Sequence, residues 1–329
     1  MKRRDVLVLG LAALAAGTST PRAALGQSRY PERPIRLVIP FPPGGSFDAI
    51  GRSLADKMKT LLGTVVIENI GGGGSSLGAA AVARAPPDGY TILLGGGGAL
   101  VINPVASSRP PYDPIRDFEP ISLVVVHAFA IAVHPKLPVR TLTELIDYAR
   151  SNPGRMSYGS AGAGSVNHLT GELLKSLTGT ADIVHVPYRG AGPAISDLIS
   201  GQIPMAIPSM NGQVLELHRA GKLRVVAVTS PERLAGAPEI PTAVESGIRG
   251  MVSQNLVGLM APAGTPKAII EQIAQAMRTA MADQKYQQQL IAFGFELPPD
   301  LGPDRMRRFV EDEIARWTPV IKAIGLKLD

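Results

Sequence analysis

Nine short apolar runs, each about the length of a β-strand, recur along the chain and limit the folds it can adopt. They are IRLVIPF (35–41), TVVIEN (64–69), YTILL (90–94), ISLVVV (121–126), FAIAVH (129–134), DIVHVPY (182–188), IPMAIPS (203–209), LRVVAVTS (223–230) and NLVGLMAP (255–262). Most are too continuously apolar to be strands with one face in water. Stretches of helical periodicity separate them, and strands that alternate with helices form mostly parallel sheets flanked by helices. The sequence therefore predicts an α/β protein.

The first 26 residues have the pattern of an export signal rather than of folded structure. A basic start precedes an apolar run from Val6 to Ala16, and small residues follow up to Gly26. An apolar run of this length is too short to span a bilayer as a helix. We expect cleavage near Gly26 and a periplasmic location. The pair Arg3-Arg4 leaves both the twin-arginine and the general secretory route open.

Charge and cysteine content exclude several classes of protein. The signal segment holds four of the 33 basic and one of the 27 acidic residues, so that 29 and 26 remain and the net charge falls from +6 to +3. The sequence lacks a Lys/Arg cluster with interleaved aromatic residues, which argues against nucleic acid as a partner, whereas a modest positive charge suits an anionic solute. The chain has no cysteine, which excludes disulfides and thiolate chemistry.

Three helices are predicted from their start signals and periodicity. Thr141 and Glu144 form a capping box in which Glu144 reaches back to the Thr141 N–H, before a helix that ends near Arg150. Thr265-Pro266 supplies a cap and a first-turn proline for another helix. A last amphipathic helix is expected from about Pro303 to Ile324, with Trp317 as a core residue rather than a stacking partner for a ligand.

Two loops rich in small residues follow strands and precede helices. The first is PFPPGGSFDAIGR (40–52), and the second is SAGAGS (160–165). The N–H groups of a helix's first turn lack partners within the helix, and the peptide dipoles place partial positive charge there, so an anion can bind at such a junction. Turn and cap chemistry alone also explains Gly and Ser at these positions.

The predicted ligand-binding residues come from these two loops and from a third strand-to-helix junction, HVPYRGAG (185–192). They are Pro43, Gly44, Gly45, Ser46, Asp48, Ser160, Ala161, Gly162, Gly164, Ser165, His168, Tyr188 and Arg189. Asp48 would repel an anion, and we expect it to shape its loop. Arg189 is either a carboxylate partner or a solvated surface residue.

Other chemistries find little support. The glycine clusters at 71–78 and 95–100 match neither G-x-G-x-x-G nor the P-loop pattern, and the five His residues form no pair with metal-ligand spacing, so we expect no cofactor, no metal and no catalytic residue. YGSAG (158–162) resembles a nucleophile elbow but lacks the glycine two residues before the serine. An exported serine hydrolase that uses Ser160 and His168 is the alternative.

Nine motifs, in order from Tyr30 onward, make the chain resemble the Bug-type extracytoplasmic solute receptors of tripartite tricarboxylate transporters, and the match runs to about Ile324. They are YPERPIRLVIPFPPGGSFD, VIEN, PPDGYT, YDPIRDFEPISLV, SNPGRMSYGSAGAGSVNHLTGELL, VPYRGAGPAISDLISGQ, AGKLRVVAVTS, PTAVESG and GLMAPAGTP. One departure is that relatives often carry a Trp-Tyr pair near residue 255, where this chain has Asn255-Leu256.

The resemblance implies a two-domain periplasmic-binding-protein fold of type II, with a ligand cleft between the domains. The expected domains are 27–127 with about 252–329, and about 128–251; ISLVVVHAFAIAVHP is predicted to carry the chain across and NLVGLMAP to return it. The implied function is a monomeric, non-enzymatic receptor that gives a small mono- or dicarboxylate to the membrane subunits of a transporter. An orphan receptor that serves a sensor is a further alternative.

Overall fold

The computed structural model describes residues 30–44 and 46–328, without the side chain of Ser46. The predicted export signal lies outside these residues. The chain divides into Met1–Glu32 and Arg33–Asp329, and all elements below belong to the second unit. No helix within the described ranges is long and apolar enough to cross a membrane.

Two five-stranded sheets form the framework. The first has the order β2-β1-β3-β10-β4 and contains β1 (Ile35–Ile39), β2 (Val65–Asn69), β3 (Thr91–Gly96), β4 (Phe118–Ala128) and β10 (Gln254–Pro262). The second has the order β7-β6-β8-β5-β9 and contains β5 (Ala130–Val133), β6 (Ser157–Ser160), β7 (Val184–Pro187), β8 (Met205–Ala206) and β9 (Arg224–Val228). The predicted α/β class is confirmed.

Each sheet is mixed, whereas the sequence predicted mostly parallel pairing. In the first sheet, β1 runs parallel to β2 and β3, and β10 runs antiparallel to β3 and β4. In the second, β6 runs parallel to β7 and β8, and β5 runs antiparallel to β8 and β9. Continuous apolar runs indicate burial on both faces, and this burial does not depend on strand direction.

Ten α-helices accompany the sheets in the described part of the chain. They are α1 (Ser46–Leu62), α2 (Ser76–Ala83), α3 (Asn103–Ala106), α4 (Leu142–Ser151), α5 (Val166–Thr178), α6 (Ala191–Ser200), α7 (Gly212–Arg219), α8 (Lys267–Met281), α9 (Gln284–Ala292) and α10 (Pro303–Ala323). A π-helical segment, Gly98–Ile102, precedes α3.

Helix starts match the predictions with two corrections. Thr141 caps α4 by accepting a hydrogen bond from the Glu144 N–H, but Glu144 accepts from the Arg140 N–H rather than from the predicted Thr141 N–H. Pro266, not Thr265, is the N-cap of α8, because the helix begins at Lys267, and the Thr265 hydroxyl donates to the Pro262 carbonyl. The last helix spans Pro303–Ala323 as expected.

The chain passes from one sheet to the other along a nearly continuous run of backbone. β4 ends in the first sheet at Ala128 and β5 begins in the second sheet at Ala130, so only Phe129 separates them. β10 lies in the first sheet after the last strand of the second sheet. The chain thus changes sheets within ISLVVVHAFAIAVHP and again before NLVGLMAP, whereas the domain boundaries expected there stay a prediction.

Candidate functional site

Asp48 organises the first predicted loop from inside the protein. It lies in the first turn of α1 and is almost fully buried. Its Oδ2 accepts hydrogen bonds from the Gly44 N–H and from Arg52 Nε, each at 2.9 Å, and its Oδ1 accepts from Asn69 Nδ2 at 3.1 Å. Asp48 thus shapes the loop, as expected, rather than facing a solute. The Gly44 N–H, predicted to meet the ligand, is already bonded to Asp48.

These partners lower the pKa of Asp48 to about 2, chiefly through the Arg52 hydrogen bond and then through that of the Gly44 N–H. A carboxylate with a lowered pKa stabilises the fold above its unfolded pKa of about 4, and the contribution is lost as the pH falls toward the folded value. We therefore expect Asp48→Asn to lower stability at pH 7 and to flatten the decline of the unfolding free energy between about pH 5 and pH 2. Urea unfolding across this range measures it.

Asp147→Asn is the matched control, because Asp147 is an exposed carboxylate on α4. The control should leave the pH dependence close to that of the wild type. If the two variants gave the same pH dependence, the hydrogen bonds of Asp48 would not stabilise the loop.

The second predicted loop, Ser160 to Ser165, also satisfies many of its own polar groups. The Ser160 hydroxyl is buried and accepts from the Gly162 N–H at 3.1 Å. Ser165 caps α5 by accepting from the His168 N–H, and its hydroxyl donates to the Gly162 carbonyl at 2.7 Å. Gly162 and Gly164 have φ of +131° and +76°, a region that favours glycine. The loop is a tightly closed turn.

A stack of three rings supports this loop. The rings of His168 and His185 lie 4.0 Å apart at 22°, and His185 stacks on Tyr158 at 4.9 Å. Burial lowers the pKa of His185 to about 4 and also lowers that of His168. The Tyr158 hydroxyl donates to Glu172, which also accepts from Lys175. The two histidines are therefore neutral packing groups at neutral pH.

The Ser160–His168 pair proposed for a hydrolase does not form. His168 Nδ1 accepts from the Gly164 N–H at 3.2 Å, whereas the Ser160 hydroxyl lies 2.7 Å from His185 Nε2. Strand pairing between β6 and β7 explains this contact, since it places His185 opposite Tyr158, two residues before Ser160. The sequence-based interpretation chose the histidine nearer in sequence and was wrong.

The third predicted junction is tied to the second. The Tyr188 N–H donates to the Ser160 carbonyl, and the Gly190 N–H donates to the Ala161 carbonyl at 3.1 Å. The Tyr188 hydroxyl donates a hydrogen bond to Asp197 at 2.7 Å, which ties the Tyr188 side chain to α6, the helix that follows the junction. The Arg189 side chain is exposed.

A cleft of about 670 Å³ lies between elements of the two sheets. On the side of the first sheet, the cleft is bordered by Gly44, α1 and α9. On the side of the second sheet, it is bordered by Ala191, by the segment that follows β8, and by α7. Its floor includes His127, and Tyr286, Leu290 and Phe295 contribute apolar and aromatic surface.

Among the predicted ligand-binding residues that the structure describes, Gly44 lines this cleft and the others do not. Those outside the lining are Pro43, Asp48, Ser160, Ala161, Gly162, Gly164, Ser165, His168, Tyr188 and Arg189. Asp48, Ser160 and Ser165 are instead hydrogen-bonded within the protein. Gly45 and the Ser46 side chain lie outside the described residues, so their role stays a prediction.

Sequence reasoning missed most of the cleft wall. Asn211 and Gly212 carried one local signal, since Asn before Gly at a helix start is typical of a cap, and Asn211 does accept from the Val214 N–H. Asn255, at the position of the relatives' Trp-Tyr pair, accepts from the Gly97 N–H at 2.9 Å. Phe295 and Tyr286 supply the aromatic surface instead, from a part of the chain that carried no motif.

Comparison with known proteins agrees with this architecture. Residues 50–326 match the family described as "Tripartite tricarboxylate transporter family receptor". BugT of Bordetella pertussis is 36% identical over 99% of this chain and 98% of its own length.

Three solved structures share the fold. The periplasmic binding protein BugD has a TM-score of 0.76 at 35% identity, with 91% of this chain and 99% of BugD covered. MatC of Rhodopseudomonas palustris with bound malate has a TM-score of 0.76 at 30% identity, with 89% of this chain and 100% of MatC covered. Rpa4515 of R. palustris with adipate has a TM-score of 0.78 at 33% identity, with 91% of this chain and 99% of Rpa4515 covered. The two sheets, the cleft between them and a family match over most of the sequence lead to one assignment: the chain belongs to the tripartite tricarboxylate transporter receptor family.

Proposed function

We propose that the chain is a periplasmic, non-enzymatic receptor that binds a small organic carboxylate in the cleft and presents it to the membrane subunits of a tripartite transporter. The observation that carries the proposal is the convergence of three helix starts on the cleft. Gly44 precedes α1, Ala191 begins α6 and Gly212 begins α7, and all three line the cleft. The helix dipoles, and the first-turn N–H groups that Asp48 and Asn211 do not bond, suit a bound anion.

The charge of the lining supports this mode of binding. Of the described residues that line the cleft, none is Lys or Arg, and Glu216 is the only carboxylate. A carboxylate in this cleft would rely on backbone N–H groups, hydroxyls and bridging water, which cost little affinity compared with direct contacts. The solved relatives with malate and with adipate hold ligands of this chemical class.

The two-domain division is part of the same proposal. All strands of the first sheet lie within 27–127 and about 252–329, apart from Ala128 at the end of β4, and all strands of the second sheet lie within about 128–251. We infer a hinge where β4 meets β5, so that closure of the two parts buries the solute.

A thermal-shift screen of aliphatic and aromatic acids tests the function. A ligand at 100 times its Kd stabilises the folded state by about 2.7 kcal/mol, which corresponds to a rise in melting temperature of about 5 °C for a chain of this size. At least one carboxylate should give such a shift, and neutral sugars should give none. A shift with sugars alone would refute the proposal.

The close contact between Ser160 and His185 keeps hydrolysis as the competing function. Ester turnover should be absent both in the wild type and in Ser160→Ala, since the serine is buried and the nearby Glu172 carboxylate accepts hydrogen bonds from Tyr158 and Lys175. Turnover that disappears in Ser160→Ala would instead favour a hydrolase. Neighbouring genes would distinguish a transport receptor from an orphan receptor that serves a sensor.

A further inference from the structure

His127 on the cleft floor has a nitrogen that the protein leaves unused. It is the penultimate residue of β4, beside the crossing between the sheets, and its side chain is only 7% exposed. Nε2 lies 3.3 Å from the Ser209 hydroxyl, and Nδ1 has no hydrogen-bond partner among the described residues. Buried polar atoms are nearly always bonded, so an unpartnered one in a binding cleft needs a reason.

The His127 ring is positioned by packing against other rings rather than by strong hydrogen bonds. Phe129 and Phe295 meet it edge to face, at centroid distances of 5.6 and 5.7 Å. The contact with Ser209 is long, and Ser209 is itself half-buried. Because His127 belongs to the cleft lining, a solute that packs against the ring would supply the partner that the buried Nδ1 lacks among the described residues.

His127 is a neutral group at neutral pH. Burial lowers its pKa to about 4. Ser209, Phe129 and Phe295, which contact the ring, carry no charge. Of the acids in this region, Glu296 accepts hydrogen bonds from Gln254 and from the Ala128 N–H, and Glu216 is exposed to solvent. If the solute placed a second carboxylate beside this ring, that carboxylate would be a buried charge without a cation, and burying it would cost binding free energy. A hydroxyl, which both donates and accepts, has no such cost.

The cleft lining includes apolar side chains on both sides, together with polar residues such as Ser53 and Gln213. Tyr286, Leu290 and Phe295 lie on one side, and Ile195 and Met210 lie on the other. Flat aromatic bodies bury well between such surfaces and gain edge-to-face contacts with the rings. The cleft also falls within the size range that holds ligands larger than a four-carbon acid.

These observations define a solute class, on the basis of the function proposed above. We propose that the cleft prefers an aromatic monocarboxylate with a hydroxyl substituent, and that His127 determines this specificity by hydrogen-bonding the hydroxyl. The ring of the solute lies against Phe295 and Leu290, and the carboxylate lies toward the helix starts.

Titration calorimetry with benzoate, the three hydroxybenzoates, adipate and malate tests the proposal. In the wild type, the best hydroxybenzoate should bind about tenfold more tightly than benzoate, the value of one good hydrogen bond, and more tightly than adipate or malate. His127→Leu should abolish the preference for the hydroxyl, so that benzoate and the best hydroxybenzoate bind with affinities within about threefold of each other. His127→Asn, which keeps a polar atom near the position of Nδ1, should restore part of it.

The melting temperature separates this role from a structural one. Because Nδ1 is buried without a partner, His127→Leu should raise the melting temperature of the unliganded protein while it weakens hydroxybenzoate binding. His134→Leu is the control: His134 follows β5, lies outside the cleft lining and should leave the preference unchanged.

The outcomes separate this inference from the proposed function. If adipate or malate binds more tightly than every aromatic acid, or if His127→Leu leaves the hydroxyl preference intact, the inference is wrong and the carboxylate receptor stands. If His127→Leu lowers the melting temperature and weakens all acids equally, His127 is a structural residue and the inference again fails. If no carboxylate binds, both proposals fail.

Discussion

Replacing Gly44 by valine is expected to weaken solute binding by at least about 100-fold, roughly 2.7 kcal/mol. Gly44 lines the cleft with φ of +87°, and a Cβ built there meets no atom within 4 Å, so the new side chain would project into open space at the cleft. A β-branched residue is also strained at positive φ, which would shift the loop that Asp48 holds. Calorimetry with the tightest acid from the screen measures the loss.

Gly63→Val is the matched control for this prediction. Gly63 follows α1 with φ of +61°, and a Cβ there also meets nothing within 4 Å, but the residue lies outside the cleft lining. Both variants should lose about 1–3 kcal/mol of unfolding free energy through the same backbone strain. Only Gly44→Val should lose affinity. Equal affinities in the two variants would mean that the solute binds elsewhere.

Much of the fold could be predicted because strands that are buried on both faces appear in the sequence as continuous apolar runs. The runs at 35–41, 64–69 and 90–94 correspond to β1, β2 and β3 within two residues. The run at 203–209 predicted too long a strand, since β8 spans only Met205–Ala206. Pro204 and Pro208 flank that strand and have no N–H to donate to a neighbour, which shortens the ladder.

The site was harder to predict because its hydrogen bonds join distant parts of the chain. The Gly and Ser residues marked the strand-to-helix junctions correctly, but no local pattern shows whether a donor faces a solute or the protein. Ser160 meets His185 only through the pairing of β6 with β7. His127 meets Phe295 next to the Val126–Glu296 bridge, which joins residues far apart in sequence.

Trp317→Ala should produce the largest loss of stability, about 3–5 kcal/mol of unfolding free energy. The sequence predicted a core residue, and the side chain is 1% exposed within the cluster that α10 packs against the first sheet. The truncation leaves a cavity, and it also removes the indole N–H that donates to Glu313 Oε2 at 2.8 Å. Urea unfolding measures the change, and solute affinity should stay unchanged under conditions where the variant is folded.

Trp317→Phe and Glu313→Gln separate the two parts of this loss. Phenylalanine keeps most of the volume but leaves the buried Glu313 carboxylate with Arg316 as its remaining partner, and burial raises the pKa of Glu313. We expect Trp317→Phe to cost about 1–3 kcal/mol. The double variant should cost less than the sum of the two single changes, because the indole and the carboxylate share one hydrogen bond. Strict additivity would show that packing alone accounts for Trp317, and a loss below about 1 kcal/mol for Trp317→Ala would contradict its place in the core.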